Sequence, residues 1–218
     1  MLNIDLHCHS NISDGVLPPA QLVERAAMRG VEILALTDHD DITGLVEARQ
    51  MAEAKSITFI NGVEISVSWR GRTLHIIGLD IDPAHAPLIE GLAAIRAGRA
   101  QRAENIALEL EKAGIPDSLA GAYAHVGERR LIGRTHFARF LVEQGYAKDI
   151  KSVFKKYLVK GKPGYAAHEW ATLSDAVSWI CGSGGQAVIA HPARYDLGKN
   201  VLSDLLDEFC ALGGSALE

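Results

Sequence analysis

The amino-acid sequence predicts an α/β fold built on parallel strands. Short apolar strand patterns alternate with amphipathic helical ones, as crossover units require. Histidines and acids also recur at or near the C-terminal ends of the apolar runs. The alternation alone leaves an open doubly wound sheet and a closed barrel both possible. The polar residues at the strand ends favour the barrel, since functional groups collect at that end of β/α barrels.

Taken in order, NIDLHCH reads as the first strand, and LPPAQLVERAAMRG as a helix with proline near its start and Gly30 at its end. VEILALTDH is the second strand and DITGLVEARQMAEAKS the second helix. ITFINGVEISVSW and RTLHIIGLDI form a hairpin-like pair across Arg70-Gly71. A long helix is expected from about Ala84 to Ala113. Residues 99–165 read as a helical insertion into a discontinuous domain of residues 1–98 and 166–218. Within it, RTHFARFLVEQG has helical spacing with Thr135 as a cap, DIKSVFKKYLV is a second amphipathic helix, and KGKPGY is a basic turn. TLSDAVSWICGSGG is then a helix, QAVIAHPA a buried strand, LSDLLDEFCALGG a helix, and SALE the start of a strand.

A chain of 218 residues with 48% hydrophobic composition can bury a core in one domain carrying an insertion. No apolar run is long enough for a membrane span, and no signal stretch opens the chain. Cys8, Cys181 and Cys210 are odd in number and far apart, so no disulfide framework is expected and a reducing cytoplasm is the default. The net charge of −5 is unevenly spread: residues 129–162 carry ten Lys/Arg against Glu143 and Asp149. A cluster so one-sided suits a phosphorylated partner.

Side chains two apart on a strand share a face, so Asp5, His7 and His9 stand together while Ile4, Leu6 and Cys8 pack on the other side. Two imidazoles beside a carboxylate are costly to bury without a cation. H-x-H alone is equally compatible with a hydrogen-bonded core pair. ALTDHDD adds His39, NGVEIS adds Glu64, TLHIIG adds His75, VIAHPAR adds His191, and Asp14 sits in a turn before Gly15. Imidazole mixed with carboxylate, without thiolate, suits Mn²⁺, Fe²⁺, Zn²⁺ or Co²⁺. These seven side chains exceed what one tetrahedral ion needs, so two or three divalent metal ions are expected, with Glu64 as the bridge. Clustered metals suit hydrolysis, because they activate water and hold the oxygens of an in-line displacement.

DLHCHSNISDG, ALTDHDDITG, NGVEIS, LHIIG and IAHPAR together resemble the polymerase and histidinol phosphatase (PHP) family, within residues 5–80 and 185–194. GRTHFARFLVEQGY in the insertion resembles the subgroup of nucleoside 3′,5′-bisphosphate phosphatases. The resemblance implies a distorted (β/α)7 TIM-like barrel of PHP type with a di- or trinuclear centre. It implies metal ligation, most often of Mn²⁺, by His7, His9, Asp14, His39, Glu64, His75 and His191. The family closes its site with a final Asp-x-His that this sequence lacks. The chain is therefore expected to be a fragment, with C-terminal strand or strands missing, because a barrel without its last strand exposes an apolar edge.

Arg194, three residues after His191, is expected near the metals as a phosphate grip, with Asp40 or a nearby histidine as the acid for the leaving oxygen. Arg134, Thr135 and His136 open an insertion helix, a natural phosphate site, and Arg130, Lys160 and Lys162 add charge. Arg139, Lys148, Lys151, Lys155 and Lys156 read instead as a solvated helix face. Tyr123, Tyr165 and Trp170 suit either base stacking or packing. The resemblance implies removal of the 3′-phosphate from a nucleoside 3′,5′-bisphosphate. A 5′-to-3′ exonuclease on short oligonucleotides and a non-catalytic nucleotide- or metal-binding domain are the alternatives. No membrane or protein partner is indicated.

Overall fold

The computed structural model describes residues 2–126 and 132–218. It divides into two compact units, Met1–Ile95 with Glu169–Glu218, and Arg96–His168. Each has its own apolar core. Val23, Leu36, Ile65, Ile76, Leu92, Val177 and Phe209 belong to the first, and Ile106, Leu110, Phe137, Leu141 and Leu158 to the second.

In the first unit, β1 (Ile4–Cys8), β2 (Ile33–Leu36) and β3 (Thr58–Trp69) run parallel, with α1 (Pro19–Met28) and α2 (Leu45–Ala54) as the crossovers between them. β3 then turns back into β4 (Arg72–Leu79), paired antiparallel from Gly62↔Leu79 to Trp69↔Arg72. Arg70 and Gly71 both have positive φ, 46° and 72°. A two-residue hairpin turn of the primed kind requires this. β6 (Gln186–Ile189) pairs antiparallel with β4 and parallel with β7 (Ala216–Leu217), and the two-residue β5 (Ala171–Thr172) pairs with β3. The sheet order is β1-β2-β3-β4-β6-β7, an open, curled half-barrel rather than a closed ring. α7 (Leu173–Gly182) starts on a capping box in which Thr172 Oγ1 accepts the Asp175 N–H at 3.1 Å. α8 (Lys199–Ala211) seats Leu205 and Phe209 in the first core.

α3 (Ala86–Lys112) gives Leu88, Leu92 and Ile95 to the first core and Ala103, Ile106 and Leu110 to the second. The second unit adds α4 (Ser118–Ala124), α5 (Arg134–Glu143) and α6 (Ile150–Val153), the last running into a π-helical turn at Phe154–Leu158. No helix among the described residues is long and apolar enough to cross a membrane.

Two expectations are corrected. Ile4 and Leu6 do not pack under helices; they are 48% and 36% exposed. Alternation itself holds, with Asp5 and His7 more buried than Ile4 and Leu6, so the face carrying Ile4 and Leu6 is the open one. Ile4 and Leu6 instead line an apolar groove of about 490 Å³ with Ile77, Leu79, Val188 and Leu217. Thr135 is not the cap of α5: the N-cap is Gly133, whose N–H donates to His136 Nδ1 at 3.0 Å.

Gly62 tests the strand packing that carries Glu64. A Cβ there would lie 2.7 Å from Thr37 Cγ2 and 2.8 Å from the Leu36 carbonyl oxygen, and the latter cannot swing aside. Gly62→Ala is expected to destabilise the protein by about 1–3 kcal/mol, read as a lower denaturant midpoint at unchanged slope. An unchanged midpoint would contradict the close β2–β3 approach.

Candidate metal centre

The polar residues reach one place from five strands and the loops that follow them. β1 carries His7 and releases His9 just beyond its end. The chain then folds back tightly, since a Cβ on Gly15 would lie 2.3 Å from the His9 carbonyl oxygen. That close approach turns Asp14 back toward the end of β1. After β2, His39 forms an isolated parallel bridge with Glu64, which lies in the middle of β3. His75 sits within β4, directly across from Ser66. His191 follows β6 in the left-handed region at φ 33°. Glu64 and His75 are thus mid-strand, where strand ends were expected; β4 runs antiparallel to β3, so an early residue of one meets a middle residue of the other.

Two buried aspartates hold the loops in place. Asp38 accepts the Ser10 N–H at 2.8 Å and the Ser10 and Ser13 hydroxyls at 2.6 Å each, tying the loop after β1 to the end of β2. Burial outweighs these donors and raises the Asp38 carboxyl. Asp40, with φ 53°, accepts the Ser66 N–H at 2.7 Å and its hydroxyl at 2.9 Å, tying the His39 loop to β3. Neither interaction was foreseen from sequence, although Asp38 and Asp40 flank a predicted ligand in TDHDD.

The predicted ligands converge on Glu64, which is 1% exposed. Its Oε2 lies 3.3 Å from His7 Nε2, 3.2 Å from His9 Nε2 and 3.0 Å from His39 Nδ1. Its Oε1 lies 2.9 Å from His75 Nδ1 and 3.0 Å from His191 Nε2. Asp14 joins through His39, at 4.0 Å. One carboxylate therefore offers each oxygen to a different set of imidazoles. Three overlapping groups have donor atoms close enough to share an ion: His7, His9 and Glu64; His9, Asp14 and His39; His39, Glu64 and His75.

This donor set fits divalent cations better than it fits itself. His7 Nε2 and His9 Nε2 face each other at 3.1 Å, and two imidazole lone pairs that close repel unless a proton or a cation lies between them. Glu64 Oε2 and His39 Nδ1 are buried with no hydrogen-bond partner among the described residues, although they lie 3.0 Å apart. Buried polar atoms without partners, all directed at one point, are what a bound ion would satisfy. Burial alone would raise the Glu64 carboxyl, but the imidazoles around it, His39 first and then His191, His7 and His75, hold it well below the usual range. Burial pulls His39 down to about 4, against the opposing pull of the Glu64 carboxylate. Burial opposes protonation of His7 and His9 too, yet the Glu64 carboxylate outweighs it and raises both.

The outer contacts orient the rings. Glu218 Oε2 accepts from His7 Nδ1 at 3.2 Å and from the His191 N–H at 2.8 Å, leaving His7 Nε2 to face Glu64. Tyr195 meets His191 edge-to-face with ring centroids 5.3 Å apart, and its hydroxyl accepts the His75 N–H at 2.8 Å. Glu218 and Tyr195 were missed because nothing in their local sequence distinguishes them from surface residues. Cys8 packs as expected: its Sγ lies 3.1 Å from the Ala35 carbonyl oxygen, and burial pushes the thiol up to about 12.

The other predicted residues are not among the groups around Glu64. Asp40 is fully buried with both oxygens engaged by Ser66, so it braces a loop and is not set up to give a proton to a leaving group. Arg194 is exposed in the 3-10 turn Pro192–Tyr195 that follows His191. Arg134 begins α5, where its Nη1 donates to the Leu158 carbonyl at 3.5 Å. Thr135 is the second residue of α5, and His136 is buried with Nδ1 taken by the Gly133 N–H. Lys160 and Lys162 are exposed. Arg130 lies outside the described residues.

Because His7 and His9 are raised above 6.5 without metal, a binding cation must displace their protons. Metal affinity is expected to weaken as pH falls from about 8 to about 6, by about tenfold per unit for each proton released. Calorimetric titration in buffers of different ionisation enthalpy reads that release directly. A pH-independent affinity without proton release would contradict the assigned ligands.

Comparison with known proteins agrees with this geometry. The chain is 52% identical over 218 residues to a 3′,5′-nucleoside bisphosphate phosphatase of Chromobacterium violaceum, covering all of this chain and 76% of that protein. It is 45% identical over 215 residues to a 5′-3′ exoribonuclease of Haemophilus influenzae, covering 98% of this chain and 77% of that protein. A solved structure of an amidohydrolase from Chromobacterium violaceum, with bound sulfate and no metal, superimposes with a TM-score of 0.97 at 52% identity. That match covers 99% of this chain and 76% of the other. The PHP domain model matches residues 5–212, and the chain belongs to the PHP domain family.

Proposed function

We propose that this chain is a metal-dependent phosphatase that removes the 3′-phosphate from nucleoside 3′,5′-bisphosphates, yielding a nucleoside 5′-monophosphate and phosphate. The observation that carries this reading is the Glu64-centred donor set in a chain that shares 52% identity with a protein of that activity along its whole length. Two or three divalent ions, Mn²⁺ first among Fe²⁺, Zn²⁺ and Co²⁺, would lower the pKa of a water and neutralise the phosphoryl oxygens when bound.

The chain's own side chains do the remainder. His7, His9, Asp14, His39, Glu64, His75 and His191 would hold the cations. Arg194 can offer two parallel N–H donors to the oxygens of the reacting phosphoryl group. With both Asp40 oxygens bound by Ser66 and the site imidazoles given to the cations, the proton for the departing ribose oxygen comes from solvent water. Arg134 at the start of α5 takes the second phosphate, with Thr135, Arg130, Lys160 and Lys162 adding donors and charge. Three free cysteines suit a reducing cytoplasm as the compartment.

A second reading, a 5′-to-3′ exonuclease acting on short oligonucleotides, has a specific support in the 45% identity to an exoribonuclease. It uses the same metals and differs in what occupies the second phosphate site.

Incubation of the manganese-loaded chain with a nucleoside 3′,5′-bisphosphate and with a ladder of short RNAs separates the two. The phosphatase reading expects inorganic phosphate from the bisphosphate and little mononucleotide from the ladder. Abundant mononucleotides with slow phosphate release would instead favour the exonuclease. Glu64→Gln is expected to reduce turnover to background while the folded spectrum is kept, together with loss of bound metal. Full turnover in that variant would remove Glu64 from the machinery.

A further inference from the structure

The imidazoles around Glu64 are not held alike from outside. His7 Nδ1 is bound to Glu218 Oε2 at 3.2 Å, the common way in which an acceptor fixes the ring of a ligating histidine. His191 has no such support. Its Nδ1 is buried with no hydrogen-bond partner among the described residues, while its Nε2 faces Glu64 Oε1 at 3.0 Å. Its backbone lies in the left-handed region at φ 33° and ψ 55°, which residues other than glycine rarely adopt. Glu218 accepts the His191 N–H at 2.8 Å, but that bond fixes the main chain and not the ring.

The His191 ring is placed by other rings. His7 stacks on it at 5.8 Å, His75 meets it edge-on at 5.3 Å, and Tyr195 meets it edge-on at 5.3 Å. Of these three, Tyr195 alone is not a candidate ligand. Its position has anchors of its own. With Leu197 and Val201 it packs against the first core, and its hydroxyl is bound to β4. The β4–β6 ladder runs from Leu79↔Gln186 to Ile76↔Ile189, and the Ala190 N–H then donates to the His75 carbonyl at 3.1 Å. The His75 N–H, at the end of that ladder, goes to the Tyr195 hydroxyl at 2.8 Å and not to a strand carbonyl.

One phenol therefore joins the backbone of His75 to the ring of His191. Both imidazoles meet the same oxygen, since His75 Nδ1 lies 2.9 Å and His191 Nε2 3.0 Å from Glu64 Oε1. The imidazoles that meet Oε2 have different supports. Glu218 stands behind His7, Asp38 ties down the loop after His9, and Asp40 ties the His39 loop to Ser66. We infer that Tyr195 is a positioning residue for one half of the metal centre: it sets His75 and His191 against Oε1 and leaves the Oε2 half to other residues. The inference rests on the reading above that the centre holds more than one cation, and it holds whichever phosphoester is cut.

The test is titration of manganese into the chelated full chain, followed by calorimetry and by electron paramagnetic resonance. Tyr195→Phe keeps the ring and removes the hydroxyl; Tyr195→Leu removes both. The unaltered chain is expected to take up at least two ions that couple magnetically. In Tyr195→Phe one ion should bind as before and another roughly tenfold to a hundredfold more weakly, the loss that removal of an outer hydrogen bond to a ligand brings. At manganese levels where the unaltered chain shows the coupled pair, the variant should then show the hyperfine pattern of an isolated bound ion. Tyr195→Leu should weaken the same ion further; if it loses its folded spectrum, Tyr195→Phe decides alone. A folded Tyr195→Phe whose ions all bind as before, or all weaken together as a general loosening would make them, would overturn the inference. A single ion in the unaltered chain would overturn it too, and no bound manganese at all would remove the metal centre with it. The split in affinity without any bisphosphate hydrolysis would sink the phosphatase reading and leave Tyr195 in its role; hydrolysis with unaltered binding in Tyr195→Phe would do the reverse.

Discussion

A single buried carboxylate organises the first unit. Glu64 sits at 1% exposure with imidazoles against both of its oxygens, and no apolar packing could make such a position stable. It stays ionised because those five rings surround it, and they in turn are held where they are because loops from several strands meet at its level. Removal of either partner leaves the other as an uncompensated buried polar group, which is costlier than never having had the pair. A cation shared among them resolves both halves of that problem.

The scaffold around Glu64 consists mainly of ordinary hydrogen bonds placed where slack would matter. Asp38 and Asp40 bind Ser10, Ser13 and Ser66 and so anchor the loops that carry His9 and His39. The β3–β4 hairpin sets His75 two residues further along from the level of Glu64, across the Ser66↔His75 pair. Glu218 and Tyr195 fix ring orientation from outside. A metal site is as exact as these outer contacts, because a rotated imidazole is a lost ligand. The second unit carries its own apolar core.

Much of the centre was legible in the sequence, and the reason is local. H-x-H on a strand, acids clustered about His39, and single histidines inside apolar runs are poor ways to build a core, so each signals a cost that something must offset. The α/β alternation was legible because helix and strand periods differ so clearly, and the hairpin because Arg70-Gly71 can turn with positive φ. What escaped were properties of pairing. Ile4 and Leu6 share a face as alternation requires, but that face lines an open groove with strands from the other edge of the sheet, which no local pattern reveals. Asp40 looked like a free acid until Ser66, twenty-six residues away, took both its oxygens.

The central claim is that Glu64 bridges ions held by imidazoles from distant parts of the chain. Anomalous diffraction from crystals grown with manganese tests it most directly. The account predicts at least two peaks, one on each Glu64 oxygen at about 2.0–2.3 Å, with His7, His9, His39 or His191 completing the shells. Manganese bound only at sites that Glu64 does not touch, with its carboxylate still ringed by bare imidazoles, would contradict it.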